Sequence, residues 1–496
     1  MNIHNDLRFR ESQQPPIKML LILALLMLVQ SGCTSVMPLQ YSAPFVVNVP
    51  SAWSSSDGMV HGEGKTATSS LVEWWSRFND PLLTTLVCKS MISNTNVNSA
   101  KAVLRQSRAL RDVSASALFP AIDSSASVNR STSGSNSATS RFTAGADAGW
   151  ELDIFGIKHS VLKGSEATLL ANTANLGDVR VSIAAEVALS YITLRDAQTR
   201  LTIANENLAS QKETLQITQW REQAGLVTSL ESEQARASVE QTNAKLPALQ
   251  NTINQTCHAL AVLIGKPPAS LLDILSVSGT LPKADDDLVL SIPAETLRQR
   301  PDVRATEHQI TSAVARLFQA DAARMPNFRL NGSLGLNALT FGALTNGVSI
   351  VSAVMASVSM PVFDGGAANA EMRARQAELD KTHIEYKERI LNALKEVEDA
   401  LIALSSDRER RVHLQNSADA ASTAALIARQ RYSSGLVDFQ IVLETQRTRL
   451  SSQESLATID ADLSADHVRL YKALGGGWQP EIIDSKSLSI ENTEKR

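Results

Sequence analysis

An apolar residue recurs at every seventh position over long stretches of the 496-residue chain. The clearest run with this spacing comprises Val187, Leu194, Leu201, Leu208 and Leu215. Heptad spacing places such side chains on one face of a helix that packs against another helix as in a coiled coil. No proline occurs between about residues 164 and 225, so the pattern predicts a helix roughly 90 Å long.

A return helix is predicted from Gly225 to Leu263, because a glycine and then two prolines follow it and end the helix. A second pair of helices is predicted at about residues 368–435 and 439–474. Each pair forms a long helical hairpin. A hairpin of this length spans a distance that a compact globular domain does not need.

Four shorter stretches alternate between apolar or small residues and polar residues at every second position, which is typical of strands with unlike faces. They lie at about residues 122–128, 142–154, 328–336 and 348–362. Glycine- and asparagine-containing loops join them in pairs, so two β-hairpins are predicted, at about residues 120–156 and 326–364. Aromatic residues near their ends suit strands that face lipid. The alternative is a soluble antiparallel sheet with one solvated face.

The body of the chain repeats itself. A shift of 206 residues relates Phe119-Pro120 to Met325-Pro326, and a shift of 210 residues relates the Gly-Leu-Val turn at Gly225 to the turn at Gly435. An internal duplication explains both shifts. Four strands are too few to close a transmembrane barrel, since the smallest have about eight. Several copies of the chain would therefore have to contribute strands.

These patterns divide the chain into six parts. They are a signal peptide at 1–32, a lipidated N-terminal linker at 33–70, a first structural repeat at 71–266, an inter-repeat linker at 267–300, a second structural repeat at 301–478 and a C-terminal tail at 479–496. Each repeat holds a helix, a β-hairpin and a long helical hairpin. The N-terminal linker is rich in Ser, Pro and Gly, and such a composition predicts an extended strap.

The N-terminus has the order of a secretory signal, in which an apolar run of 11 residues follows three basic residues and precedes Ser31-Gly32-Cys33. Cys33 resembles the cysteine of a bacterial lipobox, which is lipidated and becomes the mature N-terminus, although Gln30 stands where that pattern usually has Leu. An ordinary signal peptidase site beside a leftover cysteine is the alternative. Thr34 is not the Asp that retains such lipoproteins at the inner membrane. The resemblance therefore implies the outer membrane.

Charge and motifs exclude several functions. The formal net charge is −4, and no cluster of Lys and Arg offers the basic patch that nucleic-acid binding requires. The sequence has no nucleotide-binding loop, no metalloprotease motif and no serine-nucleophile elbow. We therefore expect no enzyme, no metal and no cofactor apart from the covalent lipid. Cys88 and Cys257 are expected to be buried free thiols, and a disulfide between them is the alternative.

Several short motifs, spaced over some 400 residues, are similar to those of one family. They begin at Trp75, Trp150, Arg300, Pro361, Glu396 and Leu474, and read WSRFNDP, WELDIFG, RPDVRA, PVFDGG, EVEDAL and LGGGW. With these motifs the chain resembles the outer membrane factor family of TolC-like channels. The closest likeness within the family is to the lipoprotein, NodT-type branch of resistance-nodulation-division (RND) efflux systems.

The resemblance implies an α+β membrane protein. Three chains would form one 12-stranded β-barrel, with four strands from each chain, and a long α-helical coiled-coil tunnel would continue the barrel into the periplasm. The partners implied are a homotrimer, outer-membrane lipid, a periplasmic adaptor (membrane fusion) protein and an inner-membrane RND pump. The implied function is passive export of drugs or other small molecules. A periplasmic coiled-coil adaptor or scaffold lipoprotein is the alternative, but it leaves the alternating segments unexplained.

In the family, the two Gly-Leu-Val turns lie at the periplasmic tip, where the tunnel is closed. Gly225 and Gly435 are therefore the expected tip turns. Acidic residues near the turns are the candidates for the gate, because rings of carboxylates select cations and can close an aperture. They are Asp438 and Glu444 near the second turn, and Glu231 and Glu233 near the first. The alternative is that each is a solvated carboxylate at a helix end.

Overall fold

The computed structural model describes residue 53 and residues 71–132, 134, 138–284 and 294–479. The predicted signal peptide, Cys33, nearly all of the predicted N-terminal linker and nearly all of the predicted tail lie outside the described residues.

In each repeat, shorter helices precede the β-hairpin and the two long helices: two in the first repeat and one in the second. The first repeat consists of α1 (Pro81–Ser93), α2 (Thr95–Ser116), β1 (Ala121–Ser131), β2 (Thr139–Leu152), α3 (Ile157–Gln223) and α4 (Ser229–Leu263). The second consists of α5 (Pro301–Ala322), β3 (Asn327–Ala338), β4 (Ile350–Ser359), α6 (Ala367–Ser433) and α7 (Phe439–Ala473). Short helical turns lie at Trp74–Phe78, Pro268–Leu271, Leu272–Leu275 and Ala294–Gln299.

The internal duplication is confirmed by the lengths of these helices. Helices α3 and α6 each have 67 residues, α4 and α7 each have 35, and α2 and α5 each have 22. Both boundaries of α3 move by 210 residues to give those of α6, and those of α2 move by 206 to give those of α5. The two repeats therefore keep the same order and length of helices.

Helix α3 begins at Ile157, seven residues before the start expected from the sequence. Gly164 lies inside the helix, where a Cβ atom would be 3.4 Å from the Cβ of Ala315 on α5. The glycine therefore allows close packing of α3 on α5 and does not mark a helix end. The local sequence alone cannot distinguish these two uses of glycine.

Both junctions between strand and long helix are built in the same way. Gly156 before α3 and Gly366 before α6 have φ values of 77° and 90°, which side chains with a Cβ rarely adopt. Asp153 accepts hydrogen bonds from the backbone N–H groups of Lys158 and His159, and Asp364 accepts them from those of Gly366 and Ala368. These carboxylates satisfy N–H groups that a helix start leaves without partners.

The four strands form one antiparallel sheet in the order β1-β2-β3-β4. Its register places Ile122, Ala148, Gly332 and Val354 in one row across the sheet. The neighbouring row, whose side chains point to the opposite face, holds Asp123, Asp147, Ser333 and Ala353. One face is thus a continuous band of apolar and small residues, and the opposite face is largely polar. Within the described chain, β1 pairs only with β2 and β4 pairs only with β3.

The long helices form a layer in which long and short helices alternate. Helix α3 packs against α2 and α4 and also against α5 and α7, and α6 packs against α5 and α7. The heptad residues Val187 and Leu194 are fully buried in the largest core cluster. The coiled-coil packing predicted from heptad spacing is therefore present in a single chain.

The motifs near residues 75, 300 and 474 lie together at the end of α7. Arg300 donates hydrogen bonds to Asp302 at 2.9 and 3.0 Å, to Glu396 at 2.8 Å and to the carbonyl of Ala473 at 2.6 Å. The backbone N–H of Gly477 donates to the carbonyl of Leu71 at 2.9 Å. These contacts join the first residues of the body to its last helix, so the motifs serve packing in this structure.

Among the described residues, no single helix is long and apolar enough to cross a membrane. One pair of helices, Ser229–Leu263 with Pro268–Leu275, satisfies the length and composition requirement only when taken together, and it is bent by 104°.

Gly476 is expected to tolerate no side chain. A Cβ atom there would lie 2.9 Å from the carbonyl oxygen of Tyr471 and 3.1 Å from that of Leu71, and backbone atoms on both sides cannot move aside. We expect Gly476→Ala to lower the free energy of unfolding by about 1–3 kcal/mol, as other overpacked substitutions do. Thermal unfolding of the detergent-purified protein, followed by tryptophan fluorescence, measures this loss.

Gly342→Ala is the matched control, because a Cβ at Gly342 would meet no atom within 4 Å. Equal melting temperatures for the two variants would contradict the packing argument.

Candidate functional site

The two turns at the end of the helical hairpins have the same backbone geometry. Gly225 and Gly435 have φ values of 71° and 75°. The N–H of Leu226 donates to the carbonyl of Arg221, and the N–H of Leu436 donates to that of Arg431, at 2.8 and 2.9 Å. This is the Schellman arrangement, in which a left-handed residue ends the helix, and glycine is the residue that adopts it without strain.

The helices that follow the turns begin differently. At the start of α4, Glu231 accepts hydrogen bonds from the backbone N–H of Thr228 at 2.7 Å and from its hydroxyl at 2.6 Å. The hydrogen bonds from Thr228 lower the pKa of Glu231. Glu233 is exposed and pairs with Arg236 on the next turn of the same helix. Both carboxylates of the first turn are therefore engaged within their own helix.

The acidic residues of the second turn have no such partners. Asp438 is the N-cap residue of α7, is exposed, and makes no side-chain capping hydrogen bond. Glu444 is also exposed, and in the described part of the chain it forms neither an ion pair nor a side-chain hydrogen bond. Asp438 and Glu444 are thus the two predicted gate residues whose carboxylates are available to groups outside the chain.

A small apolar cluster supports the two turns. It comprises Ala235, Ala428, Tyr432, Phe439, Val442 and Leu443. The rings of Tyr432 and Phe439 lie 5.7 Å apart. The guanidinium carbon of Arg221 on α3 lies 4.5 Å from the centre of the Tyr432 ring, and Arg221 also donates to the carbonyl of Tyr432. This cation–π contact links the first hairpin to the second close to the tip.

Arg221 and Tyr432 are not among the residues predicted from the sequence. A signal was present, since an arginine stands at the same place, four residues before the glycine, in both repeats. An exposed arginine at the end of a helix is common, however, because it interacts favourably with the helix dipole. Only the packing of the first helical hairpin on the second gives Arg221 its partner.

Further from the tip, polar side chains connect the two hairpins along one seam, which we call the internal seam. Asn207 on α3 accepts a hydrogen bond from Arg449 at 2.9 Å and donates to Gln453 at 2.8 Å. Gln446 donates to Thr214 at 2.8 Å. Burial lowers the pKa of Arg449, and the nearby cation of Arg429 lowers it further. The seam is buried but polar, so its contacts can be exchanged for contacts with water at moderate cost.

Within the described residues, no group of three or more His, Cys, Asp or Glu side chains could hold a metal ion. The free cysteines do not form a disulfide, and the structure corrects one expectation about them. Cys257 is buried as expected, whereas Cys88 is exposed because it lies on the outer face of the short helix α1. The internal seam and the tip turns are therefore the features with which a function can be associated.

A family model described as "Outer membrane efflux protein" matches residues 86–266 and 292–476. These two segments correspond to most of the two repeats and make up more than half of the chain. The chain belongs to this family. The predictions of an efflux channel subunit in the outer membrane and of a protein that is not an enzyme are confirmed by this membership.

Relatives of similar length support the assignment. Nodulation protein T of Rhizobium leguminosarum bv. trifolii is 27% identical over 467 residues, which are 91% of this chain and 96% of the relative. The toluene efflux pump outer membrane protein TtgF of Pseudomonas putida is 28% identical over 473 residues, 93% of this chain and 97% of the relative. The predicted membership of the NodT-type branch is thereby confirmed.

Solved structures share the fold. The outer-membrane channel OprN is 32% identical, with a TM-score of 0.80, and the match covers 88% of this chain and 99% of OprN. The Campylobacter jejuni CmeC outer membrane channel is 23% identical with a TM-score of 0.80, covering 90% of this chain and 98% of CmeC, which supports the fold alone. The predicted fold class, with four strands per chain in a shared barrel continued by a helical tunnel, is confirmed.

Glu231 is expected to stabilise the start of α4. We expect Glu231→Ala to speed hydrogen exchange in residues 226–235 a few-fold at pH 7. A change of this order is what the loss of one capping interaction produces. Because the pKa of Glu231 is lowered in the folded protein, its contribution is complete above the unfolded value of about 4.3 and is lost as the pH falls through the folded value. Wild type and variant should therefore converge at low pH.

Hydrogen exchange followed by mass spectrometry measures this effect peptide by peptide. Glu233→Ala is the control, because Glu233 is exposed and forms its ion pair with the exposed Arg236 on the same helix. Its loss should leave exchange nearly unchanged. Equal acceleration by the two substitutions would show that the capping contact has no special role.

Proposed function

We propose that three copies of the chain form the exit duct of a tripartite RND-type efflux system, with a periplasmic adaptor and an inner-membrane pump as partners. Drugs or other small molecules would pass from the pump through the helical tunnel and leave through the barrel. The channel is passive, and the pump supplies the energy. The relatives named as efflux pump outer membrane proteins support this assignment.

The observation that carries the proposal is that the sheet and the helical layer are both open at their two ends. Strands β1 and β4 each have one unpaired edge in the described chain. In the helical layer, α3 has neighbours on both sides, with α2 and α4 on one side and α5 and α7 on the other. Helix α6 packs on α5 and α7 but has no comparable neighbour on its other side within the described residues.

A second copy satisfies all of these open ends at once. Its α2 and α4 would cover the free side of α6, as they cover α3 in their own chain. Its β1 would pair with β4, which supplies the backbone partners that a strand edge in lipid requires. Three copies of four strands give the 12 strands of the fold class. The duplication makes this contact nearly equivalent to the one already present within each chain.

The gate in this proposal lies at the tip turns. Asp438 and Glu444 are exposed and free of partners within the described chain. In a trimer, three copies of each would surround the aperture, and such rings of carboxylates favour cations and restrict the opening. Glu231 and Glu233 are assigned to helix stability, because their partners lie in α4 itself or directly before it.

The proposed channel is tested by single-channel conductance of the purified trimer in planar bilayers, comparing wild type with Asp438→Ala. We expect a small, stable conductance in wild type and a rise in the variant, because the substitution removes a ring of three charges from the aperture. Glu233→Ala is the matched control and should conduct as wild type does.

A rise with both substitutions would remove the special role of Asp438 but leave the channel. Absence of any membrane-inserted trimer would refute the proposed function.

Lipidation of Cys33 is the second part of the proposal, and it rests on the sequence alone because Cys33 lies outside the described residues. We expect cells supplied with labelled palmitate to label the wild-type protein, and Cys33→Ser to abolish the label, because the thioether to lipid cannot form. Cys88→Ser is the control and should retain full labelling. Labelled Cys33→Ser protein would contradict the assignment.

A further inference from the structure

We propose that Arg431 of one copy forms an ion pair with Glu222 of the next copy and that this pair holds the closed tip together between subunits. The proposal rests on the trimeric assembly proposed above. It assigns one specific contact to a surface that a single chain leaves open, and the partner copy contributes half of it.

The internal duplication supplies the geometry. Helices α3 and α6 have identical length and correspond residue by residue through a shift of 210. In the proposed ring, the α3–α4 hairpin is followed by the α6–α7 hairpin of the same chain, and this is followed by the α3–α4 hairpin of the next copy. Each contact between the two hairpins within a chain therefore has a counterpart between copies. In the counterpart, the residue on the first hairpin is replaced by the one 210 positions later, and the residue on the second hairpin by the one 210 positions earlier.

The contact of Arg221 with Tyr432 gives the pair. Arg221 lies over the Tyr432 ring and donates to the backbone carbonyl of that residue, so its side chain joins the end of α3 to the end of α6. The shift of 210 converts Arg221 into Arg431 and Tyr432 into Glu222. The arginine is kept, and its aromatic partner becomes a carboxylate. A cation–π contact within the chain thus becomes an ion pair between copies.

Neither side chain has another use in the chain. Arg431 is exposed and Glu222 is half-buried, and no ion pair or side-chain hydrogen bond involves either of them within the described residues. Their backbone carbonyls are occupied by the turn, since they accept from Leu436 and Gly225. These hydrogen bonds fix the end of each helix. The two charges are therefore presented at defined places at the ends of α3 and α6, beside the tip turns.

When the other polar contacts between the two hairpins are shifted by 210 residues in the same way, none of them becomes a pair of opposite charges. The ion pair of Arg429 with Glu213, at 2.7 Å, becomes Gln219 with Thr423. The contact of Gln446 with Thr214 becomes Arg236 with Ala424.

The contacts of Asn207 with Arg449 and Gln453 convert in the same way. They become Ser417 with Val239 and Asn243. Among these converted contacts, Arg431 with Glu222 is the one that joins opposite charges.

The internal seam within a chain and the contact between copies consequently differ in strength. Within a chain, the hairpins are joined by an ion pair, a cation–π contact and a series of buried hydrogen bonds. Between copies, the converted positions give one ion pair near the tip and no other pair of opposite charges. We therefore expect the tip to open by separation of neighbouring copies, while the two hairpins of each chain stay together.

Disulfide cross-linking tests the contact directly. In a background in which Cys88→Ser and Cys257→Ala remove the two described free thiols, Glu222→Cys combined with Arg431→Cys should give cross-linked dimers and trimers under oxidising conditions. Glu213→Cys combined with Arg429→Cys is the matched control, because these residues meet within one chain. The control pair should leave the protein monomeric on a denaturing gel.

Charge reversal tests the role of the pair in the gate. Arg431→Glu alone and Glu222→Arg alone should each raise the open fraction in planar bilayers about two- to fivefold, the effect of losing one surface ion pair. The double variant restores opposite charges and should return the conductance toward the wild-type value. Thr423→Glu, on the same side of α6 further from the tip, controls for added charge.

A conducting trimer that forms the control cross-link but no cross-link between residues 222 and 431 would overturn the proposed pair and leave the channel intact. A double variant as open as the single variants would also overturn it. Loss of both the trimer and its conductance in the wild-type protein would instead refute the function on which the pair depends.

Discussion

The backbone of strands β1 and β4 imposes the constraint on which the rest of the molecule depends. Each of these strands is paired on one side only within the described chain, and the sheet carries a continuous apolar face that includes Ile122 and Val354. In lipid, unpaired N–H and C=O groups cost several kcal/mol each, about the largest penalty a strand can meet. Closure with other copies removes that penalty. The helical layer below has the same open ends, so one assembly satisfies both parts.

The duplication makes that closure possible with a single kind of chain. Because α3 and α6 have the same length and similar neighbours, the groove between long helices is repeated around the proposed ring at nearly equal intervals. Small residues permit the close approaches that this requires, as Gly164 does against Ala315. Within one chain, a different set of contacts joins the start of α5 to the end of α7. Arg300 pairs with Asp302 and Glu396 and donates to the carbonyl of Ala473.

The tip combines an identical backbone with different side chains. The helix before each turn ends in a Schellman motif around a glycine. Thr228 and Glu231 satisfy the start of α4, whereas the Asp438 carboxylate makes no capping hydrogen bond at the start of α7 within the described residues. The first turn is therefore the more firmly built, and the second carries the available charge. Together with the polar internal seam, this arrangement concentrates charge and hydrogen bonding where the tunnel must both close and open, since such contacts can be exchanged with water.

The sequence by itself determined the features that depend on local periodicity and on residues with restricted backbones. Heptad spacing around Val187 and Leu194 predicted the long helices, period-two alternation predicted the four strands, and Gly225 and Gly435 marked the turns. Short motifs and the repeat predicted the family. Only the tertiary structure decided that Gly164 lies inside a helix against α5, that Cys88 is exposed, and that Arg221 meets Tyr432. The reason is that periodicity reports which face of an element is buried, whereas the partner of a polar side chain depends on residues hundreds of positions away, brought together only when the helices pack.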